Sequence, residues 1–271
     1  MDGYQKNAMK YIFILQLLLM LAPRFGFSQR KKWKLVWSDE FNNNGLPDSS
    51  KWQFETHGNS YGWGNSEKQF YTSGDTANAI VKNGMLHIIA KKENRENKEY
   101  TSARLSTSGK YHFLYGRIDV KAKLPAGRGT WPAIWMLGQN IGAFKWPACG
   151  EIDIMEHVGY EKDSLHGTVH TAAYNHIKGT QKGKAVFLDH PYTRFHLYSV
   201  IWTKEKVEFL LDDKVYHSFK NEHLTTDEWP FDAPFYIILN LAIGGNWGGK
   251  KGIDDSVFPA TMLVDYVRVY Q

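Results

Sequence analysis

From residue 33 onward the chain offers no stretch of helical periodicity longer than about two turns; short β-rich runs alternate instead with Gly, Pro, Asn and Asp. A βαβ fold needs intervening helices of about ten residues or more, so this punctuation excludes it and predicts an all-β sandwich or jelly roll of two antiparallel sheets. The cleanest strand is 116–124, where Ile118, Val120, Ala122 and Leu124 alternate with Arg117, Asp119, Lys121 and Lys123. That period of two separates the faces of a strand. Runs 207–211 and 214–219 flank Asp212-Asp213 as a hairpin, 236–243 is apolar enough for a strand buried on both faces, and 264–270 closes the chain as another strand. Residues 91–100 read as an exposed hairpin tip. The Gly/Asn/Lys-rich stretches 42–50, 56–66 and 172–184 are predicted to border a cleft.

Length and composition narrow the class. With 271 residues, 42% of them hydrophobic, one sizeable core is affordable, and no repeat or linker marks a second domain. Lys6 and Lys10 precede the apolar run 11–21, and Pro23, Gly26 and Ser28 follow at cleavage-like spacing, so residues 1–28 read as an export signal and 29–271 as one catalytic domain. Eleven residues rise about 16 Å as a helix, roughly half of a bilayer core, which weighs against the competing reading of a membrane anchor. The expected location is secreted, periplasmic or extracellular, with no membrane attachment after signal removal and a monomeric state.

Cys149 is the only cysteine, so no intrachain disulfide forms and packing must hold the domain. Beyond the signal, 30 basic residues face 27 acidic ones, too slight an excess for a nucleic-acid partner.

The chemistry concentrates in Gly150-Glu-Ile-Asp-Ile-Met-Glu-His157. A regular strand would turn Glu156 to the face of Ile152 and Ile154, and burying an unpaired carboxylate costs several kcal/mol or forces protonation. A β-bulge at Ile154-Met155 inserts one extra residue and returns Glu156 to the face of Glu151 and Asp153. Carboxylates so arranged suit glycoside hydrolysis, one attacking the anomeric carbon and one protonating the leaving oxygen, at about 5 to 5.5 Å for retention. Asp153 between them is expected to repel both, raising Glu156 so that it keeps its proton, while hydrogen bonds keep Glu151 ionised. Trp131, Trp135 and Trp146 lie within twenty positions before these acids, and at least one is expected to be a platform for a sugar's apolar face. Glu-x-Asp-x-x-Glu alone is also compatible with an exposed polar strand or a cation site.

Matched segments run through nearly the whole chain beyond the signal: Trp37-Ser-Asp-Glu-Phe41, Gly62-Trp-Gly-Asn-Ser-Glu-Lys-Gln-Phe-Tyr-Thr72, Gly116-Arg-Ile-Asp-Val-Lys-Ala-Lys-Leu-Pro125, Gly129-Thr-Trp-Pro-Ala-Ile-Trp-Met-Leu-Gly138, Trp146 to Gly159 and Asn240-Leu-Ala-Ile-Gly-Gly-Asn-Trp247. In these the chain resembles glycoside hydrolase family 16, and within it the laminarinases, or endo-β-1,3-glucanases. The resemblance implies a β-jelly roll with an open cleft, Glu151 as nucleophile, Asp153 as assisting acid and Glu156 as acid/base, with no cofactor in catalysis. It also implies sugar-contacting or supporting roles for Asn65, Arg104, His170 and Asn246, and a structural calcium at Glu40, the Gly84 carbonyl and Asp265. Met155 gives the bulged form seen in laminarinases and also in agarase-like and carrageenase-like members, while the laminarinase-like Trp146-Pro-Ala-Cys-Gly lead-in and Asn65-Ser-Glu-Lys-Gln favour β-1,3-glucan as the polysaccharide partner, with mixed β-1,3/1,4-glucan as a further substrate.

Taken as residues alone, Arg104 reads equally as a strand-surface ion pair, His170 as a core or loop histidine, and Asn65 and Asn246 as turn residues beside glycine. His157 is expected to face away from the cleft. His166 and His170 sit in a strand-like context without the helical face of a zinc pair, so no catalytic metal is expected. Two alternatives stay open: a galactan hydrolase of the agarase or carrageenase type, and a non-catalytic carbohydrate-binding jelly roll.

Overall fold

The computed structural model describes residues 33–59 and 61–271, so the expected export signal at 1–28 lies outside the described residues. The strands, in chain order, are β1 (Leu35–Asp39), β2 (Gln53–Phe54), β3 (Gln69–Tyr71), β4 (Ala79–Lys82), β5 (Met85–Arg95), β6 (Lys98–Ser102), β7 (Arg104–Ser106), β8 (Gly116–Lys123), β9 (Thr130–Gly138), β10 (Glu151–Glu156), β11 (Ser164–His170), β12 (Lys182–Phe187), β13 (His196–Trp202), β14 (Lys206–Leu211), β15 (Lys214–Lys220), β16 (Phe235–Ile243) and β17 (Ala260–Tyr270). Among the described residues no helix is long and apolar enough to cross a membrane.

Two sheets pack face to face. The outer sheet runs β15-β14-β13-β8-β17-β5-β6-β3, with β1 beside β17 and β4 beside β5; the inner runs β12-β11-β10-β9-β16-β7-β2. This is the jelly-roll sandwich expected from the strand pattern. One pairing departs from the antiparallel expectation: β3 runs parallel to β6, because it reaches that edge through a loop rather than a hairpin. Residues 91–100 likewise are more than an exposed tip, since β5 and β6 carry the ladder almost to the turn and bury Tyr100.

Alternation explains which residues fill the space between the sheets. Ile118, Val120 and Ala122 of β8 are fully buried, while Arg117 on the opposite face pairs with Asp119 at 2.6 Å. Every residue of β16 is buried, as its apolar run requires of a central strand covered on both faces. The hairpin between β14 and β15 turns on Asp212 and Asp213, both at positive φ, the geometry that matches the twist of paired strands. Trp202, Tyr198, Phe209, Phe231 and Phe235 form the bulkiest part of the core. Burying one such side chain is worth about 1.5–3 kcal/mol, and this burial substitutes for the absent disulfide; Cys149 is free and buried.

Candidate active site

The irregularity expected in β10 is present. Against β9, Asp153 pairs with Trp135 and Met155 with the very next residue, Ile134. Against β11, Asp153 pairs with Thr168 and Glu156 with His166, three steps on one strand against two on the other. One residue of β10 is thus supernumerary, and Ile154 and Met155, though consecutive, both enter the core together with Ile152. Glu151, Asp153 and Glu156 all line one cleft of about 480 Å³ on the exposed face of the inner sheet. The bulge avoids setting Glu156 among isoleucines.

The cleft crosses the strands. Its lining includes Trp131 and Trp135 of β9, Asn240 and Ala242 of β16 and Arg104 of β7, with Asn59, Tyr61, Trp63, Asn65 and Glu67 from the loop before β3 and His176 and Ile177 from the loop after β11. Residues 42–50, expected at its border, instead line a separate depression with Asp39, Lys51 and Trp52. Residues 182–184 belong to β12 rather than to a loop.

Two of the three tryptophans hold the acids as well as lining the cleft. Trp146 donates its indole N–H to Glu151 at 3.0 Å, and Trp131 donates to Glu156 at 3.1 Å. Trp135 donates to Asn240 at 2.7 Å, which in turn donates to Tyr71 Oη at 3.1 Å. Arg104 lies between the rings of Trp63 and Trp135, 4.6 and 4.7 Å from their centroids, and pairs with Glu55 at 2.6 Å. It is an ion pair, as its residue type suggested, but a buried one in the cleft wall rather than on a strand surface. Behind it Glu67 accepts from Gln69 at 2.6 Å and from Tyr71 at 3.3 Å.

The electrostatics correct one expectation. Burial is the first cause of the raised pKa values of all three acids, ahead of mutual repulsion. Glu156 is raised to about 8 by burial and then by the charge of Glu151. Glu151 is raised only to about 7, because the hydrogen bond from Trp146, the charge of Arg104 and a hydrogen bond with Asp153 oppose its burial. Asp153 is raised well above its ordinary value by burial and by both glutamates. Burial and the charges of both glutamates thus favour the protonated form of Asp153, which can donate to Glu151, and the order leaves Glu151 the easier glutamate to ionise.

His170 is buried with Nε2 3.7 Å from Glu151 and 3.4 Å from Asp153. Burial lowers it to about 4, so it is neutral near pH 7. Glu151, Asp153 and His170 also form the group among the described residues whose donor atoms, within 4.8 Å of one another, could hold a cation. His166 belongs elsewhere, pairing with Glu161 at 3.1 Å and standing edge-on to Trp247. His157 points away from the cleft, donating to the Ser164 carbonyl at 2.8 Å and accepting from Tyr192 at 3.0 Å. Asn246 is exposed and does not line the cleft; its backbone N–H donates to the Asn65 carbonyl at 2.7 Å and so braces that loop.

The three expected calcium donors are neighbours by register: Asp39 stands opposite Val267 and Val264 opposite Leu86, which brings Glu40 and the Gly84 turn towards Asp265. Both carboxylates already have cationic partners, Glu40 accepting from Arg268 at 2.9 and 2.8 Å and Asp265 lying 2.8 Å from Lys121. Oxygen donors suit calcium, so the set fits the ion provided these side chains exchange Arg268 and Lys121 for it.

Residues 51–268 match the glycosyl hydrolases family 16. A β-glucanase of Rhodothermus marinus is 53% identical across 98% of this chain and 96% of its own length. The crystal structure of the laminarinase from Rhodothermus marinus superposes with a TM-score of 0.86 at 51% identity, covering 89% of this chain and 98% of the other. A solved non-specific endo-β-1,3(4)-glucanase of the same family superposes with a TM-score of 0.85 at 47% identity, covering 89% and 92% of the two chains.

Proposed function

The chain belongs to glycosyl hydrolase family 16, and from that membership and the geometry of β10 we propose that it is an endo-acting, retaining β-1,3-glucanase that needs no cofactor for its chemistry. The observation that carries the reading is the bulge that turns Glu151, Asp153 and Glu156 to one cleft face. Glu151 attacks the anomeric carbon while Glu156 gives its proton to the departing glycosidic oxygen. The glucan beyond the break leaves with a free hydroxyl, and the sugar remains as an ester of Glu151. Glu156, now ionised, takes a proton from water, whose oxygen displaces Glu151 and restores the original configuration. Asp153 holds Glu151 through its shared proton. The walls of the cleft supply the sugar contacts, with Trp135, Arg104 and Asn65 on one side of the acids and Trp146 and His170 beside Glu151. Asn246 contributes by bracing Asn65.

Mixed β-1,3/1,4-glucan is the second substrate, a reading supported by the likeness to a non-specific endo-β-1,3(4)-glucanase. The galactan alternative receives no comparable support in the cleft, whose lining has Arg104 as its basic residue, already paired with Glu55. The protein is further proposed to be an exported monomer released from the membrane by removal of residues 1–28, and to carry structural calcium at Glu40, Gly84 and Asp265, remote from the reacting atoms.

Glu151→Ala and Glu156→Ala should each abolish nearly all release of reducing ends from laminarin while leaving the melting temperature at or above that of the parent. Undiminished turnover in either variant removes the assignment. NMR of the first product should show the β-anomer; the α-anomer would exclude double displacement.

A further inference from the structure

The walled part of the cleft lies over β9, β16 and β7, on one side of the catalytic strand. An endo-acting enzyme must also hold the glucan on the other side of the scissile bond, and the strands that follow β10 on that side of the sheet are β11 and β12. Residues directly opposite in a ladder share a face. Glu156 stands opposite His166, and Asp153 opposite Thr168; one strand further, His166 stands opposite Ala185, Thr168 opposite Gly183 and Ser164 opposite Phe187. Gly183, Ala185 and Phe187 therefore project from β12 on the face that carries the acids.

These three make a floor with one raised edge. Gly183 and Ala185 are exposed and nearly without side chain. A Cβ at Gly183 would come within 2.7 Å of Thr168 Oγ1, so the close approach of β11 keeps this position bare. Phe187 is 67% exposed, at the end of the strand. Across the floor, the loop after β11 raises Ile177, 75% exposed, and His176, whose ring lies 5.0 Å from that of Trp146. Two strands of about 4.8 Å spacing and two residues of about 3.3 Å rise separate Phe187 from Glu156, a span of about 12 Å, on the scale of a few sugar rings.

We infer that β11 and β12 form a second arm of the sugar-binding cleft, floored by Thr168, Gly183 and Ala185, in which Phe187 is an aromatic platform for a glucose unit remote from the cut bond. The occupant is neutral β-linked glucan, whose rings present apolar C–H faces that stack on an aromatic side chain. Phe187 does not touch the reacting atoms; it sets how strongly long chains are held and where along them the cut falls. The inference rests on the β-glucanase reading above.

The test compares the wild-type protein with Phe187→Ala and Phe187→Trp on laminarin and on laminaritriose, with melting curves as a control. Losing the covered face of a phenylalanine should raise KM for laminarin roughly tenfold with kcat held, leave laminaritriose hydrolysis unchanged, and shift the early products to a different length distribution. Phe187→Trp should restore the low KM. Wild-type cleavage together with an unaltered laminarin KM and product pattern in Phe187→Ala overturns this inference alone, as does an equal loss on laminaritriose, which would mark a structural effect. Absence of β-1,3-glucan cleavage by the wild-type protein would overturn the catalytic reading as well.

Discussion

At the scale of single residues, the three acids oppose stability and activity. Their folded-state pKa values are raised, chiefly by burial. Between the ordinary carboxylate range and those raised values, the native chain binds protons that the unfolded chain has released, so stability falls as pH rises through that window and is unaffected below it. Asp153→Asn should therefore raise the melting temperature, by a margin that widens from pH 4 to pH 8, while kcat on laminarin falls on the order of a hundredfold. The amide still donates to Glu151 but cannot exchange a proton as the charge on that carboxylate comes and goes. A melting temperature below the parent's at pH 8 would show that Asp153 stabilises the fold. The same values predict a bell-shaped kcat/KM profile for the free enzyme, its acid limb near 7 from Glu151 and its alkaline limb near 8 from Glu156. An acid limb in the ordinary carboxylate range would mean that Glu151 is better solvated than its burial implies. The identities of these acids were readable in advance because glutamate beside isoleucine forces a choice between desolvation and a bulge. The cause of their raised pKa values was not, because Asp153 repels or donates according to its own burial, a property of the assembled cleft.

At the scale of elements, β10 shows how one extra residue positions a side chain. Without Met155 the strand would pair residue for residue, Asp153, Ile154 and Glu156 facing Trp135, Ile134 and Ala133 on one side and Thr168, Gly167 and His166 on the other. Deletion of Met155 should thus retain the fold and keep Glu156 on the cleft face. The lost core side chain should cost about 2–5 kcal/mol, as methionine truncations do, and laminarin turnover should fall but remain well above that of Glu156→Ala. Activity as low as that of Glu156→Ala would show that the bulge sets the glutamate separation as well as its face. Elements with a local signature, such as the alternation of β8 and the Asp212-Asp213 turn, were legible from their own residues. Trp63, Glu67, Asn240 and His176 carry no local signal of their own, although three of them lie inside the family-like motifs. Their cleft positions depend on which strands cross beneath them, as the parallel pairing of β3 with β6 depends on a distant edge.

At the scale of the whole molecule, a domain with a single buried cysteine holds two sheets together by packing. Burial raises the Cys149 thiol to about 12, so reductant should leave the melting curve unmoved and native protein should resist thiol reagents. The tie that joins the first strand to the last is of another kind. Arg268 grips Glu40 with two hydrogen bonds and Lys121 lies against Asp265, and each of these partly exposed pairs is worth little alone. Calcium shared by Glu40, the Gly84 carbonyl and Asp265 would replace two separate pairs with one ion binding three segments of the outer sheet. Ligand that binds only the folded state at a hundred times its Kd stabilises by about 2.7 kcal/mol, and each kcal/mol moves the transition of a domain this size by about 2–4 °C. Calcium at millimolar concentration should therefore raise the melting temperature by several degrees, chelator should reverse the gain, and Asp265→Ala should abolish the response while sparing laminarin turnover at low temperature. A transition indifferent to both calcium and chelator would leave Arg268 and Lys121 as the resident partners of those carboxylates and remove the ion from the account.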